Sequence, residues 1–430
     1  MTPQGPEIFV APGLRSPFAR IDRELADLNA LRLSTPVVQQ SVVGPRGPGQ
    51  AEAVDLVLWG SVIPSLEVSN WGREVWLESG LDPHVPAQGI VQACATSLAA
   101  ATHAAGQARS GRLELALCGG VESMSFTQIG LPLRLSRTVR RAVQAGSPVR
   151  AVRTLTQLRL KDIRVRIPTA TERTTGLTMG EHAEQMAKTW SVGREAQDRL
   201  AFESHMRAVS ATERGFFRPL LVTPGTFPAD VDAVPRPGTS LDKLARLRPS
   251  FDRESGTLTA GNSTPLTDGA AAVWVGTAAG VERLPGDVPR VRLLDWEEAA
   301  IDLRRQGLLM APTLAIPRLL ARHDMGYGDV ALWEIHEAFA VQVLCTIAAL
   351  EDRDWLREQA GVDRELGAFP RDRLNPNGGS VALGHPFGAT GARILSQAAA
   401  ELADMESGSR AVVSICAAGG LGHVALLETV

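Results

Sequence analysis

Short apolar runs alternate along the chain with longer segments whose apolar residues recur at helical spacing. "AVDLVLWGSV" (53–62), "IVQA" (90–93) and "LELALCGGV" (113–121) predict strands. "TSLAAATHAAGQARS" (96–110), rich in alanine and followed by Gly111, predicts a helix. The pattern returns near the C-terminus. "DVALWEIHEAFAVQVLCTIAAL" (329–350) reads as strand, turn and helix, and "TGARILSQAAAELADM" (390–405) as a helix. "RAVVSICAAGGLGHVALLE" (410–428) reads as strand, glycine turn and strand. Strands interleaved with helices predict an α/β fold, and the recurrence makes two similar halves the expected architecture.

The middle departs from this pattern. Residues 126–255 are rich in Arg and Pro and poor in strand pattern, and read as an inserted subdomain. Alternation resumes at "GTLTAGNSTPLTDGAAAVWVG" (256–276), whose DGAAAVWV run predicts a strand returning to the first half. The turn-rich "RLPGDVP" (283–289) marks a linker. The expected organisation is therefore an N-terminal α/β half over 1–125 completed by 256–286, an insert over 126–255, and a C-terminal α/β half over 287–430.

Composition narrows the function classes. A net charge of −3 over 430 residues gives no global reason to expect nucleic acid. The four cysteines, Cys94, Cys118, Cys345 and Cys416, are far apart and form no CxxC pair, so neither a zinc site nor a disulfide framework is expected. The start, "MTPQGPEIFVAPG", lacks a signal-peptide pattern, and no apolar run is long enough to cross a bilayer. The expectation is a cytoplasmic protein with reduced thiols.

Three stretches place reactive side chains at strand ends or loops, where scaffolds usually present them. "WEIHEAFA" (333–340) carries His336, "NPNGGSVALGHPFGATGAR" (375–393) carries His385, and "CAAGGLG" (416–422) carries Cys416. "VQACATS" (91–97) sets Cys94 just before a helix, whose N-terminus lowers a thiol pKa and offers N–H groups to an oxyanion. An isolated cysteine is more often a packed core residue, a reading that fits Cys118 and Cys345. "GATG" lacks the ending of a phosphate-binding P-loop.

Taken together, CATS, GGVESMS, TMGEHAEQMAK, GTLTAGNSTPLTDGAAAV, HEAFA, GGSVALGHPFGATGAR and CAAGGLG resemble the motifs of the thiolases, in the family's order and over nearly the whole chain. HEAFA, GHPFGATGAR and the long insert bring it closer to the thiolases of fatty-acid β-oxidation, including the β-subunit of the trifunctional complex. The resemblance implies a layered αβαβα core with an inserted helical loop domain. It implies thiolytic cleavage of 3-ketoacyl-CoA by CoA to acetyl-CoA and a shortened acyl-CoA. Cys94 would be acylated, His385 would take its proton, and Cys416 would exchange a proton with carbon. His336 stands where many thiolases have an Asn that positions a water and would, with His385, form the oxyanion hole for the thioester enolate. A second hole would use the backbone N–H groups of Cys94 and Ala418. Thr264 and Arg236 fall near CoA-binding positions. Thr178 replaces the His of the family's HMG, and Gln92 replaces an Arg before the nucleophile. Coenzyme A would be a substrate, with no resident cofactor and no metal.

Residues 134–168 contain ten Arg or Lys and one Asp, with Val149, Val152, Leu155 and Leu158 at helical spacing. This predicts a helical hairpin that is either simply solvated or docks electrostatically. The resemblance implies a homodimer or tetramer, and offers as partners a hydratase/dehydrogenase α-subunit or a membrane surface, each through this insert. The alternatives are a biosynthetic acetoacetyl-CoA thiolase and a non-catalytic thiolase-fold protein that binds lipid or serves as a scaffold.

Overall fold

The computed structural model describes residues 5–128, 130–159 and 171–430. Its first part contains β1 (Ile8–Arg15), β2 (Ala19–Arg20), α1 (Ala30–Val43), β3 (Leu56–Gly60), α2 (Trp71–Glu78), β4 (Ala87–Gly89), α3 (Thr96–Arg109) and β5 (Leu115–Glu122). The Asn29 and Asn70 side chains cap α1 and α2 by accepting the N–H of Arg32 and Arg73. A run of helices follows: α4 (Leu133–Val143), α5 (Pro148–Leu155), α6 (Met179–Thr189), α7 (Arg194–Glu213) and α8 (Leu241–Ala245). Then come β6 (Thr267–Thr277) and α9 (Ala278–Val281). The remainder is β7 (Val291–Ala300), α10 (Pro312–Arg322), β8 (Leu332–Ile335), α11 (Ala340–Leu350), α12 (Arg353–Trp355), α13 (Ser380–Leu383), α14 (Thr390–Leu402), β9 (Arg410–Ala417) and β10 (Leu421–Thr429).

The strands repeat one topology. The N-terminal set runs β4-β3-β5-β6-β1, and the C-terminal set runs β8-β9-β10-β7. In each set a parallel pair, β3 with β5 or β8 with β9, is followed by two antiparallel neighbours. A short antiparallel contact of Phe9 with Arg292 and Val10 with Val291 joins them. The returning strand read from DGAAAVWV is β6, which lies between β5 and β1.

Side chains alternate between two buried faces, which is why these strands read as continuous apolar runs. Leu56 and Leu58 of β3 join a central cluster with Ala411, Val413 and Ile415 of β9, while Val57 and Trp59 face an outer layer with Leu33, Val37 and Trp76. Val412, Val424 and Leu426 face a second outer layer with Leu314, Leu319, Val343 and Ile347. Helices α3 and α14 fill the centre, giving the order α, β, α, β, α.

The alanines of α3 allow a close crossing with α14: a Cβ at Gly391 would lie 2.4 Å from the Leu98 nitrogen. No described helix is long and apolar enough to cross a membrane.

Two local expectations are corrected. The strand expected at 90–93 lies at Ala87–Gly89 instead. Ala93 adopts a left-handed φ of 45°, which no strand accommodates, so the chain turns before Cys94. Leu158 lies beyond the end of α5. The hairpin of α4 and α5 is observed, and the basic positions 161, 164 and 166 lie outside the described residues.

Candidate active site

The site is assembled where the starts of α3 and α14 meet. Ser97 Oγ accepts the Ala392 N–H at 2.8 Å and ties the two helix starts together. Glu122, buried at the end of β5, accepts Ser61 Oγ (2.7 Å), Ile63 N (3.0 Å), Val62 N (3.1 Å) and Gly388 N (3.1 Å). It thereby fastens the His385 loop to the N-terminal half. The His385 N–H donates to Thr267 Oγ1 at 2.7 Å.

From the other side, Glu337 of HEAFA accepts Ser204 Oγ (2.7 Å), Asn375 Nδ2 (2.6 Å) and Val381 N (3.1 Å). This holds the 375–381 loop beneath His336. None of these anchors was singled out in the sequence, although Glu122 and Glu337 sit inside recognised motifs.

Three expected residues converge. Cys94 Sγ and a ring nitrogen of each of His336 and His385 all lie within 4.8 Å of one another. These are donor types that could also hold a metal ion. Cys94 is partly exposed, whereas His336, His385 and Cys416 are buried. The backbone N–H groups of Ala418 and of Cys94 itself point at Cys94 Sγ, and Cys416 lies close enough for the Cys94 charge to act on it. Cys118 and Cys345 lie in the core, where each thiol contacts a backbone carbonyl, of Ala100 and Met186 respectively.

The electrostatics overturn one expectation. A helix start alone lowers a thiol pKa, but burial raises Cys94 to about 11 against the two N–H groups that favour its thiolate. Burial also lifts Cys416 well above the ordinary thiol value, with Cys94 adding to it. Burial lowers His385 to about 3, helped by the Arg393 charge. Burial, His385 and Arg393 together push His336 well down. At neutral pH the resting site is two thiols and two neutral imidazoles.

Hydrogen bonding sets the His385 tautomer. Thr390 Oγ1 donates to the Pro386 carbonyl at 2.9 Å, and its one proton is committed there. It must therefore accept from His385 Nδ1–H, 2.5 Å away. The buried Nε2 of His385 carries the lone pair and has no hydrogen-bond partner among the described residues, poised as a proton acceptor.

The outer expected residues are placed differently. Thr264 Oγ1 donates to the Ser380 carbonyl at 2.7 Å, adjoining the site. Arg236 is not in this group. Its backbone N–H donates to His205 Nδ1 at 3.3 Å, and burial together with Arg20 lowers its pKa. Thr178 caps α6 in a reciprocal capping box with Glu181. Gln92 bridges His423 (2.9 Å) and Glu298 (2.7 Å), a structural brace for the turn before Cys94. Glu172, from the insert, accepts the Gly419 N–H at 3.1 Å and steadies the turn that carries Ala418.

Comparison with known proteins agrees with the fold and the motifs. Residues 8–279 match the thiolase N-terminal domain and residues 288–429 the thiolase C-terminal domain. A 3-ketoacyl-CoA thiolase of Erwinia tasmaniensis is 38% identical over 432 aligned positions, covering 100% of this chain and 98% of that protein. A 3-ketoacyl-CoA thiolase of Pectobacterium atrosepticum is similar to the same extent, 38% with the same coverage. A crystal structure of a thiolase from Ascaris suum in complex with coenzyme A superposes with a TM-score of 0.79 at 25% identity, covering 99% of this chain and 100% of that one. With a domain match over almost its entire length and the fold to go with it, the chain belongs to the thiolase family.

Proposed function

We propose that this protein is a 3-ketoacyl-CoA thiolase of fatty-acid β-oxidation. The observation that carries the reading is the convergence of Cys94 Sγ with two neutral imidazoles whose Nε2 atoms have no partner. His385 Nε2 takes the Cys94 proton as sulfur attacks the C3 carbonyl of the substrate. The developing oxyanion accepts from the N–H groups of Cys94 and Ala418. The C2–C3 bond then breaks, its electron pair passing to C2 as the enolate of acetyl-CoA, and Cys416 S–H protonates that carbon. His336 Nε2–H donates to the enolate oxygen. A second CoA thiol gives its proton to the Cys416 thiolate and attacks the acyl-Cys94 thioester; the shortened acyl-CoA leaves as the Cys94 sulfur takes back the proton held by His385. Coenzyme A is thus substrate and product.

Thr264 suits a pantetheine contact as an acceptor, because its own proton is committed to Ser380. Arg236 makes no ion pair among the described residues and faces Arg20, which suits a CoA phosphate. We further propose a homo-oligomer that works in the cytoplasm at an anionic lipid surface. Helices α4 and α5 expose Val143 (81%), Val149 (79%), Leu133 (63%) and Val152 (60%) among arginines, the make-up of an interfacial amphipathic element.

The test is CoA-dependent cleavage of 3-ketoacyl-CoA across chain lengths. Cleavage of medium or long substrates is expected. Turnover of acetoacetyl-CoA alone would favour a biosynthetic thiolase, and no turnover of any length would reject the reading.

A further inference from the structure

His336 Nδ1 lies 2.8 Å from Ser380 Oγ, and the same oxygen is 2.8 Å from Arg393 Nη2. All three side chains are buried, with 0%, 0% and 2% exposure for His336, Ser380 and Arg393. A guanidinium only donates, so Ser380 Oγ accepts from Arg393. The hydroxyl proton then needs an acceptor. Among the described residues the one other hydrogen-bond partner of Ser380 Oγ is His336 Nδ1. The proton must therefore point at Nδ1, which has to be a bare lone pair.

We propose that Ser380, oriented by Arg393, is a positioning residue that fixes His336 as the Nε2–H tautomer and so makes it a hydrogen-bond donor into the site. The arrangement is the reverse of that at His385. There Thr390 gives its proton to a carbonyl and accepts from Nδ1–H. Two serine-type hydroxyls of opposite polarity thus set two neighbouring imidazoles, 4.1 Å apart, in opposite tautomers. One offers an N–H and the other a lone pair.

Arg393 is suited to the task because it cannot reverse its role. It donates to Gln397 Oε1 at 3.2 Å, and although burial lowers its pKa, the nearby Glu334 and Glu337 act to keep its charge. Its charge also opposes protonation of either imidazole. The inference rests on the reading of His336 as an oxyanion donor, but its test does not.

Nitrogen NMR of the full-length protein labelled with 15N-histidine distinguishes protonated from bare ring nitrogens, with His336→Asn and His385→Asn used for assignment. The expected result is protonated Nε2 and bare Nδ1 for His336, and the reverse for His385. In Ser380→Ala the His336 signals should move toward a tautomer mixture while those of His385 stay. The kcat for 3-ketoacyl-CoA cleavage should fall about 10-fold to 100-fold, less than the ~10²–10³ typical of deleting a donor outright. KM should change little, and Ser380→Thr, which keeps the hydroxyl, should recover activity. Protonated Nδ1 on His336 in the unmodified protein would overturn the proposal even if Ser380→Ala did not fold. The expected tautomers in a protein without thiolytic turnover would leave the proposal standing and reject the function instead.

Discussion

The rings of His336 and His385 lie 4.1 Å apart, centroid to centroid, yet each bonds outward to a hydroxyl and neither bonds the other. The Nε2 atom of each is buried without a hydrogen-bond partner among the described residues. Both atoms are therefore placed to meet substrate oxygen or sulfur, not each other.

Cys94 should be the first thiol alkylated by iodoacetamide, because it alone among the cysteines keeps part of its surface exposed. Since the thiolate reacts and burial raises this thiol to about 11, labelling should be slow at pH 7 and climb about tenfold per pH unit toward that value. Peptide mapping after timed labelling is the check. Modification of Cys118 or Cys345 ahead of Cys94 would contradict the assignment.

The acid side of the pH–rate profile should be flat through the usual histidine range. A folded His385 held at about 3 stays neutral as pH falls from 8 to 5, and becomes protonated, losing its role as base, only on approach to 3. His336 is shifted in the same direction. kcat/KM for the 3-ketoacyl-CoA, which reports the steps through acylation, should therefore show no loss centred near 6.5. A half-loss at that pH would mean the base is solvated.

Cys416→Ser should lose most cleavage and condensation activity, because a hydroxyl is a far weaker acid than a thiol. Transfer of an acyl group from a simple acyl-CoA to Cys94 makes no carbon protonation and should survive better. Mass spectrometry of the acylated protein separates the two, and equal losses would remove Cys416 from the carbon step.

His336→Ala should lower kcat by ~10²–10³, the usual cost of one oxyanion donor. His336→Asn keeps an N–H donor and should retain a measurable part of the activity. If the alanine variant turns over at a near-normal rate, the donor role fails.

Replacing Arg137, Arg140, Arg141, Arg150 and Arg153 with Gln should abolish co-sedimentation with anionic phosphatidylserine vesicles while short-chain turnover persists. Each basic residue near such a surface contributes about 1 kcal/mol. The association should weaken with salt, since screening acts over ~10 Å at 0.1 M. Undiminished vesicle binding by the variant would sink the proposal, and binding lost to an α-subunit instead of to lipid would assign the surface to a protein partner.

The alternation of helices and strands was legible along the chain, because a residue's face follows from a period of 2.0 or 3.6 within one element. The sequence carries the motifs that mark the family, and it brought Cys94, His336, His385 and Cys416 forward as strand-end or loop residues. It misplaced the strand before Cys94, since four apolar-looking residues do not reveal that Ala93 turns left-handed. Two similar halves were legible in the recurring pattern, but the strand order within each was not, because it is a property of pairing and not of similarity between segments.

How the four residues behave depends on packing between distant segments. A helix start predicts a lowered thiol pKa, but the depth of burial, set by packing from both halves, reversed the sign at Cys94. Glu122, Glu172, Thr390 and Ser380 acquire their roles from partners up to 266 positions away, as in the bond from Gly388 to Glu122. Which nitrogen of each histidine carries the proton depends on where a neighbouring hydroxyl sends its own. That is settled by packing around a buried arginine and a carbonyl, which a linear pattern does not encode.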